Sequence, residues 1–195
     1  MAWGKAGSQT LGTAGDVITS GTITASKFNQ ILSSDLASGA LSTQVVFNSD
    51  TGNNYAYRNS WDGTSDGTGV NNANVQQWDG NNGSSTPQFV VSYVCNIDGE
   101  EKIGMYQGID QSTAGTTVPH RREVVYKYTG TSQITKIDIN NSGAGSFDTS
   151  SNLTVLGSNI TPAAGTLVTI SDGAIFHETD TNKSYALYNG TWTEL

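Results

Sequence analysis

The sequence predicts a mainly β fold in which antiparallel sheets pack as a sandwich, and three observations favour it. The 195 residues include 23 glycines and many Asn, Ser and Thr residues, which favour turns and strands over helix interiors. Charged residues make up only 13% of the chain, while aromatic residues (9%) recur along it, which argues against disorder. Short apolar segments, each bounded by Gly, Asn or Asp, follow one another at the spacing of strands.

The first 21 residues or so predict an extended arm. Short Thr, Val and Ile pieces are divided by glycines, as in a strand with irregular ends. We expect this arm to dock onto a neighbouring subunit by strand addition. Pairing within its own chain is the alternative. The apolar residues expected to make the contact are Trp3, Leu11, Val17 and Ile18.

Residues 24–38 predict the one helix of the chain. Apolar side chains recur at i, i+3, i+4 and i+8, which places them on one helical face. Thr24 suits the N-cap, and Gly39 suits the position that ends the helix. The apolar stripe consists of Phe28, Ile31, Leu32 and Leu36.

Between the helix and residue 162 the pattern changes to short strands. The run 89–95 alternates, with Phe89, Val91, Tyr93 and Cys95 on one face. Strands at this spacing suggest a sandwich or jelly roll. The predicted strands are Gln44–Asn48, Asn54–Ser60, Val75–Trp78, Phe89–Asn96, Lys102–Ile109, Glu123–Thr129, Ile134–Ile139 and Leu153–Leu156, and residues 61–74 are predicted as a long loop.

Residues 163–195 predict a C-terminal β-meander. Strands alternate with turns such as Asn189-Gly190. The organisation is therefore 1–162 as a sandwich with arm and helix, and 163–195 as a meander that is either a separate module or part of the same domain. The meander strands are Leu167–Ile170, Ala174–His177, Ser184–Tyr188 and Thr191–Leu195.

Charge and cysteine usage exclude several partner classes. The net charge of −8 and the pI near 4.4 argue against nucleic acid and anionic membrane as partners. A single cysteine, Cys95, excludes an intramolecular disulfide and a multi-cysteine zinc site. No apolar run is long enough for a membrane-spanning helix, and the N-terminus lacks the apolar region of a secretion signal. We therefore expect synthesis in a cytoplasm.

The sequence predicts no enzyme, cofactor or metal centre. It contains none of the phosphate-loop, dinucleotide or nucleophile motifs, and its two histidines are not at metal-ligand spacing. Glu178 and Asp180 match the start of the E-x-D-x-x-E motif of β-glucanases. Lys183 occupies the third position, however, so the second glutamate that glycoside hydrolysis requires is missing.

Two kinds of ligand site are considered for the loops. Aromatic rings beside amides and carboxylates suit sugar rings, although the same aromatics can fill the core. The turn from Asp62 to Asp66 has carboxylates for a calcium ion, but lacks the distal bidentate glutamate and also suits a solvated turn. The candidate glycan contacts are Trp61, Asp62, Trp78, Tyr55 and Tyr57.

Three stretches resemble structural proteins of tailed viruses that infect marine microbes. They are the opening 1–32, in which GDVIT is followed by KFNQIL, a middle stretch made of 48–68, VSYVCNIDGEEKIGMY (91–106) and 118–157, and IFHETDTNKSYALYNGTWTEL (175–195). The resemblance implies a virion component with a jelly-roll or lectin-like sandwich. The expected function is a virion surface structural protein, either capsid decoration or a tail or fibre component. It would assemble with copies of itself and other virion proteins. Recognition of host surface glycans is the alternative.

Overall fold

The computed structural model describes residues 3–37, 39–76, 87–111, 116, 118–159, 172–178 and 181–195. These residues form fifteen strands and no helix, and every strand pairing is antiparallel. The prediction of a mainly β chain is therefore confirmed. The chain divides into two compact units, Met1–Ile160 and Thr161–Leu195.

The first unit contains twelve strands in two sheets. The strands are β1 Gly4–Thr10, β2 Val17–Thr19, β3 Phe28–Asp35, β4 Thr43–Phe47, β5 Tyr55–Trp61, β6 Gly67–Asn72, β7 Val75–Gln76, β8 Gln88–Cys95, β9 Lys102–Asp110, β10 His120–Tyr128, β11 Ile137–Asn141 and β12 Asn152–Ser158. The eight-stranded sheet has the order β1-β12-β3-β8-β9-β10-β5-β6, and the four-stranded sheet has the order β2-β11-β4-β7.

Both sheets contribute side chains to one hydrophobic core. Because successive side chains of a strand point to opposite faces, the central strands β3, β8 and β10 bury every second residue. Phe47 on β4 of the small sheet packs its ring 5.9 Å from that of Tyr126 and 5.7 Å from that of Tyr128, both on β10 of the large sheet. The inner faces of the two sheets are therefore in direct contact, and the opposite face of the large sheet is its outward face.

The predicted helix over residues 24–38 is wrong, because Phe28–Asp35 form strand β3. This strand pairs along its length with β12 on one side and β8 on the other. Its inner face alternates cleanly, but three of its four buried residues are polar: Asn29, Ser33 and Asp35. The period-two signal is therefore invisible to a hydrophobicity pattern, and the stripe at helical spacing is coincidental.

The N-terminal arm pairs within its own chain. Strand β1 pairs with β12 from Gly4 opposite Gly157 to Thr10 opposite Asn152, and β2 pairs with β11. Ile18 is fully buried in the core, so this residue does not offer a docking contact. The remaining three candidates reach the surface to different extents: Trp3 and Val17 are exposed and Leu11 is half-buried.

The described part of the second unit is a three-stranded meander. Its strands are β13 Ile175–Glu178, β14 Lys183–Tyr188 and β15 Thr191–Glu194, paired in that order. The Phe176 ring lies 6.3 Å from that of Tyr185 and 6.1 Å from that of Trp192, which gives one face a small aromatic cluster. The strand predicted at 167–170 falls outside the described residues.

Candidate interaction surface

The outward face of the large sheet carries many large apolar side chains that are open to solvent. The cause lies in β8 and β9. Strand β8 has apolar residues at both odd and even positions, so one set faces the core and the other faces away from it, whereas β9 turns most of its apolar residues, Ile103, Met105 and Ile109, outward. Six of these outward side chains are between 44% and 63% exposed. We call them the outward patch: Phe89, Tyr93, Ile103, Met105, Ile109 and Val125.

Strand register makes this patch continuous. Met105 on β9 lies directly opposite Tyr93 on β8 and Val125 on β10. Further along the same strands, Ile109 lies opposite Phe89. Side chains directly opposite each other in an antiparallel pair have Cβ atoms about 4.5–5.5 Å apart. Half-buried Val91 joins the two groups along β8, and Gln107 and Glu123 lie between them on β9 and β10.

A groove crosses one end of this surface. It has a volume of about 900 Å³ and runs from Phe28 on β3, past Ile103 and Met105, to Val70 on β6. The side chain of Trp3 closes it on the β1 side. Phe89 and Ile109 do not line it, because they lie at the opposite end of the patch. The outward face thus has a groove at one end and exposed apolar side chains outside the groove at the other.

Charged side chains at the margin of the patch are largely neutralised. Arg58 on β5 pairs with Asp66 at 2.9 Å, and Lys127 on β10 pairs with Glu101 at 2.7 Å. Glu123 is exposed on the same face of β10. Although the chain carries a net charge of −8, the surroundings of the patch therefore have little net charge of their own.

A second candidate site is built around Asp62, at the end of β5. One carboxylate oxygen, Oδ2, accepts a hydrogen bond from Trp61 Nε1 at 2.7 Å and lies 2.7 Å from Nδ1 of His120. The other, Oδ1, accepts the backbone N–H of Arg121 at 2.8 Å. This backbone hydrogen bond, followed by that of His120, lowers the pKa of Asp62. The guanidinium of Arg122 stacks over the Trp61 ring, 5.1 Å from its centroid.

Of the remaining glycan candidates, Tyr55 and Tyr57 are not part of this cluster. Tyr55 is 1% exposed, and its hydroxyl accepts a hydrogen bond from the backbone N–H of Phe47 at 2.9 Å. Its ring is a core element and offers no face to a ligand, which corrects the expectation for this residue. Tyr57 is half-buried and lines the groove. Trp78 falls outside the described residues.

The turn considered for calcium already engages its carboxylates with protein donors. Asp62 accepts the hydrogen bonds described above, and Asp66 pairs with Arg58. Across the described ranges there is no group of three or more His, Cys, Asp or Glu side chains that could hold a metal ion. Nor does this part of the chain contain a helix long and apolar enough to cross a membrane.

The sequence contains a pattern that indicates the outward patch, but the prediction of a sandwich core assigned these apolar residues to the interior. An antiparallel strand with one solvated face normally alternates between apolar and polar residues. In the run 88–95 both alternating sets contain apolar residues. Such a strand indicates either burial on both faces or an exposed apolar face, and only the sheet order shows which one applies.

Comparisons with known proteins do not assign this chain to a family. No protein-family model, no curated protein and no solved structure matches the chain. The geometry of the chain's own residues is therefore the basis for a functional proposal.

Proposed function

We propose that this chain is a structural protein that acts by protein–protein assembly, with the outward patch as its contact surface. Its two sheets are best described as a β-sandwich of the jelly-roll or lectin-like kind, and its site of action as the surface of a virus particle. The observation that carries the proposal is the row of Tyr93, Met105 and Val125, whose exposed side chains lie in register across three central strands.

The physical argument concerns the free energy of leaving such a patch in water. Burying apolar surface contributes roughly 25 cal/mol per Å². Monomeric soluble proteins rarely expose contiguous apolar patches larger than a few hundred Å², and larger ones mark interaction sites. Aromatic rings and β-branched side chains on a rigid sheet also lose little conformational entropy when a partner covers them. These properties suit a contact surface that is already formed before binding.

The virion location rests on the sequence resemblance together with this surface. The segments 15–32, 91–106 and 175–195 carry part of the resemblance to structural proteins of tailed viruses. The first two contribute β2, β3, β8 and β9, and the third forms the meander. Three of the six residues of the outward patch, Tyr93, Ile103 and Met105, lie within segment 91–106, and Phe89 and Ile109 flank it on β8 and β9. A particle component that assembles by repeated contacts would use such a surface.

Localisation on particles tests the proposal. An antibody raised against the recombinant chain should label the surface of purified particles whose genome encodes this sequence, and the chain should be found among their proteins. Recombinant Met105→Glu should compete poorly for incorporation. Val17→Glu, a matched change on an exposed residue of β2, should compete as the wild type does. A chain found only in the soluble fraction of infected cells would refute the proposal.

Glycan recognition is the second candidate, favoured by the fixed geometry at Asp62. Sugar binding needs an aromatic face beside a polar group held in place, and Trp61 and Asp62 provide this pair. On a glycan array, Trp61→Ala should abolish any signal that the wild type gives. Trp3→Ala, which changes an exposed tryptophan elsewhere, should preserve it. A signal that is insensitive to Trp61→Ala would exclude this site.

A further inference from the structure

We infer that the partner on the outward patch is a second copy of this chain, packed against the same patch around a two-fold axis that runs across the strands. The inference rests on the proposed function, since it identifies the partner in that assembly. Two-fold dimers are the commonest closed oligomers, and in them one patch is its own complement. Shape, area and charge on the described residues each favour this arrangement.

The position of the groove on the outward face determines the direction of the two-fold axis. The groove lies at the end of the face where Ile103 sits, and the exposed side chains of Phe89 and Ile109 lie outside it at the other end. An axis perpendicular to the strands places Phe89 and Ile109 of one copy over the groove of the other. An axis parallel to the strands would place groove over groove and leave both unfilled. Only the first arrangement gives close packing at both ends.

The area of the face is adequate for a stable dimer. Five strands, β3, β8, β9, β10 and β5, present the outward face. With ~4.8 Å between strands and ~3.3 Å per residue, a stretch of eight residues on each gives ~600 Å² as a flat rectangle. The relief of the side chains makes the accessible area larger than the flat one. A standard interface buries ~800 Å² on each partner, so the face is of the size that such an interface requires.

The charges around the patch are also compatible with a second copy. Two acidic chains repel each other at long range, but the ion pairs at Arg58 and Lys127 leave the margin of the patch close to neutral. With the axis across the strands between Met105 and Gln107, Glu123 of one copy lies over Val125 of the other, the residue directly opposite Arg58 on β5. This places opposite charges near each other at the rim.

The single cysteine provides a sharp test. Cys95 is on the outward face of β8, opposite Ile103, six residues along the same strand from Phe89. Within one copy these two positions are about 20 Å apart, at ~3.3 Å per residue. In the proposed dimer, position 89 of one copy lies over Cys95 of the other. A short bis-maleimide should therefore convert Phe89→Cys into a covalent dimer at low protein concentration.

Controls separate this register from others. The wild type and Val17→Cys should stay uncross-linked, because their thiols are far from each other in the proposed dimer. Within one copy, positions 127 and 95 both flank Ile103, about two strand spacings (~10 Å) apart, so Lys127→Cys can be linked to Cys95 inside a monomer. Lys127→Cys would form a covalent dimer only if the axis ran along the strands, and that result would overturn the inferred arrangement. All four positions are at least partly exposed, so the variants should fold as the wild type does.

Sedimentation equilibrium gives a second readout. The wild type and Val17→Glu should sediment as dimers, and Met105→Glu should sediment as a monomer, with a loss of at least tenfold in dimer affinity. A monomeric wild type without cross-linking of Phe89→Cys would refute the self-association. If such a chain still labelled particles, the proposed function would stand and the partner would be a different virion protein. If the monomeric chain labelled no particles, both the proposed function and the self-association would be refuted.

Discussion

The Nζ atom of Lys102 lies 2.7 Å from the carbonyl oxygen of Thr131, at a position where the lysine is 0% exposed. The same ammonium donates to the carbonyl of Ile97 at 2.6 Å and to that of Glu100. Burial lowers the pKa of Lys102. A charged group without solvent is stabilised here by three carbonyl oxygens, and it ties the turn between β8 and β9 to the segment that follows β10.

We expect Lys102→Met to lower the free energy of unfolding by about 2–3 kcal/mol, because the methionine fills similar space but leaves three carbonyl acceptors without their donor. Urea unfolding followed by tryptophan fluorescence measures the change. The control is Lys127→Met on the exposed face of β10, where we expect a change below about 0.5 kcal/mol. Equal effects for the two variants would contradict this role for Lys102.

Tyr128→Phe should lower the free energy of unfolding by about 1 kcal/mol. The change removes the hydroxyl that donates to Asp50 Oδ2 at 2.9 Å, while the stack with Tyr55, at 4.8 Å between ring centroids, stays in place. Burial raises the pKa of Tyr128 to about 12. Tyr188→Phe on the exposed surface of the meander serves as the control. A variant as stable as the wild type would show that the hydrogen bond makes no net contribution.

Acid should destabilise the fold through two aspartates. The backbone N–H of Gly52 is the main cause that lowers the pKa of Asp50, and that of Arg121 is the main cause for Asp62. A carboxyl whose pKa is lower in the folded state stabilises the fold above its unfolded pKa, ordinarily 3.8. That stabilisation is lost as the pH falls through the lowered folded value.

Thermal unfolding from neutral pH to well below 3.8 measures this effect. The melting temperature of the wild type should fall steeply at the acid end. Asp50→Asn should be less stable at neutral pH and should show a shallower acid decline, since one of the two groups no longer titrates. An unchanged slope in this variant would argue against a folded-state pKa shift at Asp50.

Gly104→Ala should lower the free energy of unfolding by about 1–3 kcal/mol, the usual cost of overpacking a core. An added Cβ would lie 2.3 Å from Cζ of Tyr126, and this ring is buried with its hydroxyl 3.0 Å from Ser92 Oγ. The ring therefore has little room to move. Gly4→Ala on β1, where nothing lies within 4 Å of an added Cβ, should be nearly neutral. An unchanged free energy of unfolding for Gly104→Ala would show that the Tyr126 ring can move away from the added Cβ at little cost.

The sequence identified most strands but not the nature of every buried face. Alternating apolar residues located β8, and β9 could be read from its bounding glycines and aspartates, each within one residue of the observed bounds. Strand β3 was missed because Asn29, Ser33 and Asp35 occupy its buried face. Strand β6 lay in a predicted loop, because the run 67–72 has few apolar residues to mark a face. Apolar patterns detect a buried strand only when the buried residues are apolar.

In the candidate sites too, contacts between residues close in sequence could be predicted, and contacts between distant residues could not. Adjacent Trp61 and Asp62 could be paired by inspection, and the structure does bring them together. His120, however, is 58 residues away along the chain and reaches Asp62 through the pairing of β10 with β5. The outward patch depends on sheet order in the same way, because both faces of β8 contain apolar residues. Register across strands is not encoded in any local window.

The pairing of β1 with β12 has a consequence for synthesis on the ribosome. Gly4 must wait for Gly157, its partner in the ladder, to leave the exit tunnel before the edge of the large sheet can form. Until then the earliest strand to emerge lacks the neighbour that it has in the finished fold, and β3 also lacks one of its two neighbours. Non-local pairing of this kind slows folding. A nascent chain that stalls before residue 152 would therefore present two incomplete strand edges to its surroundings.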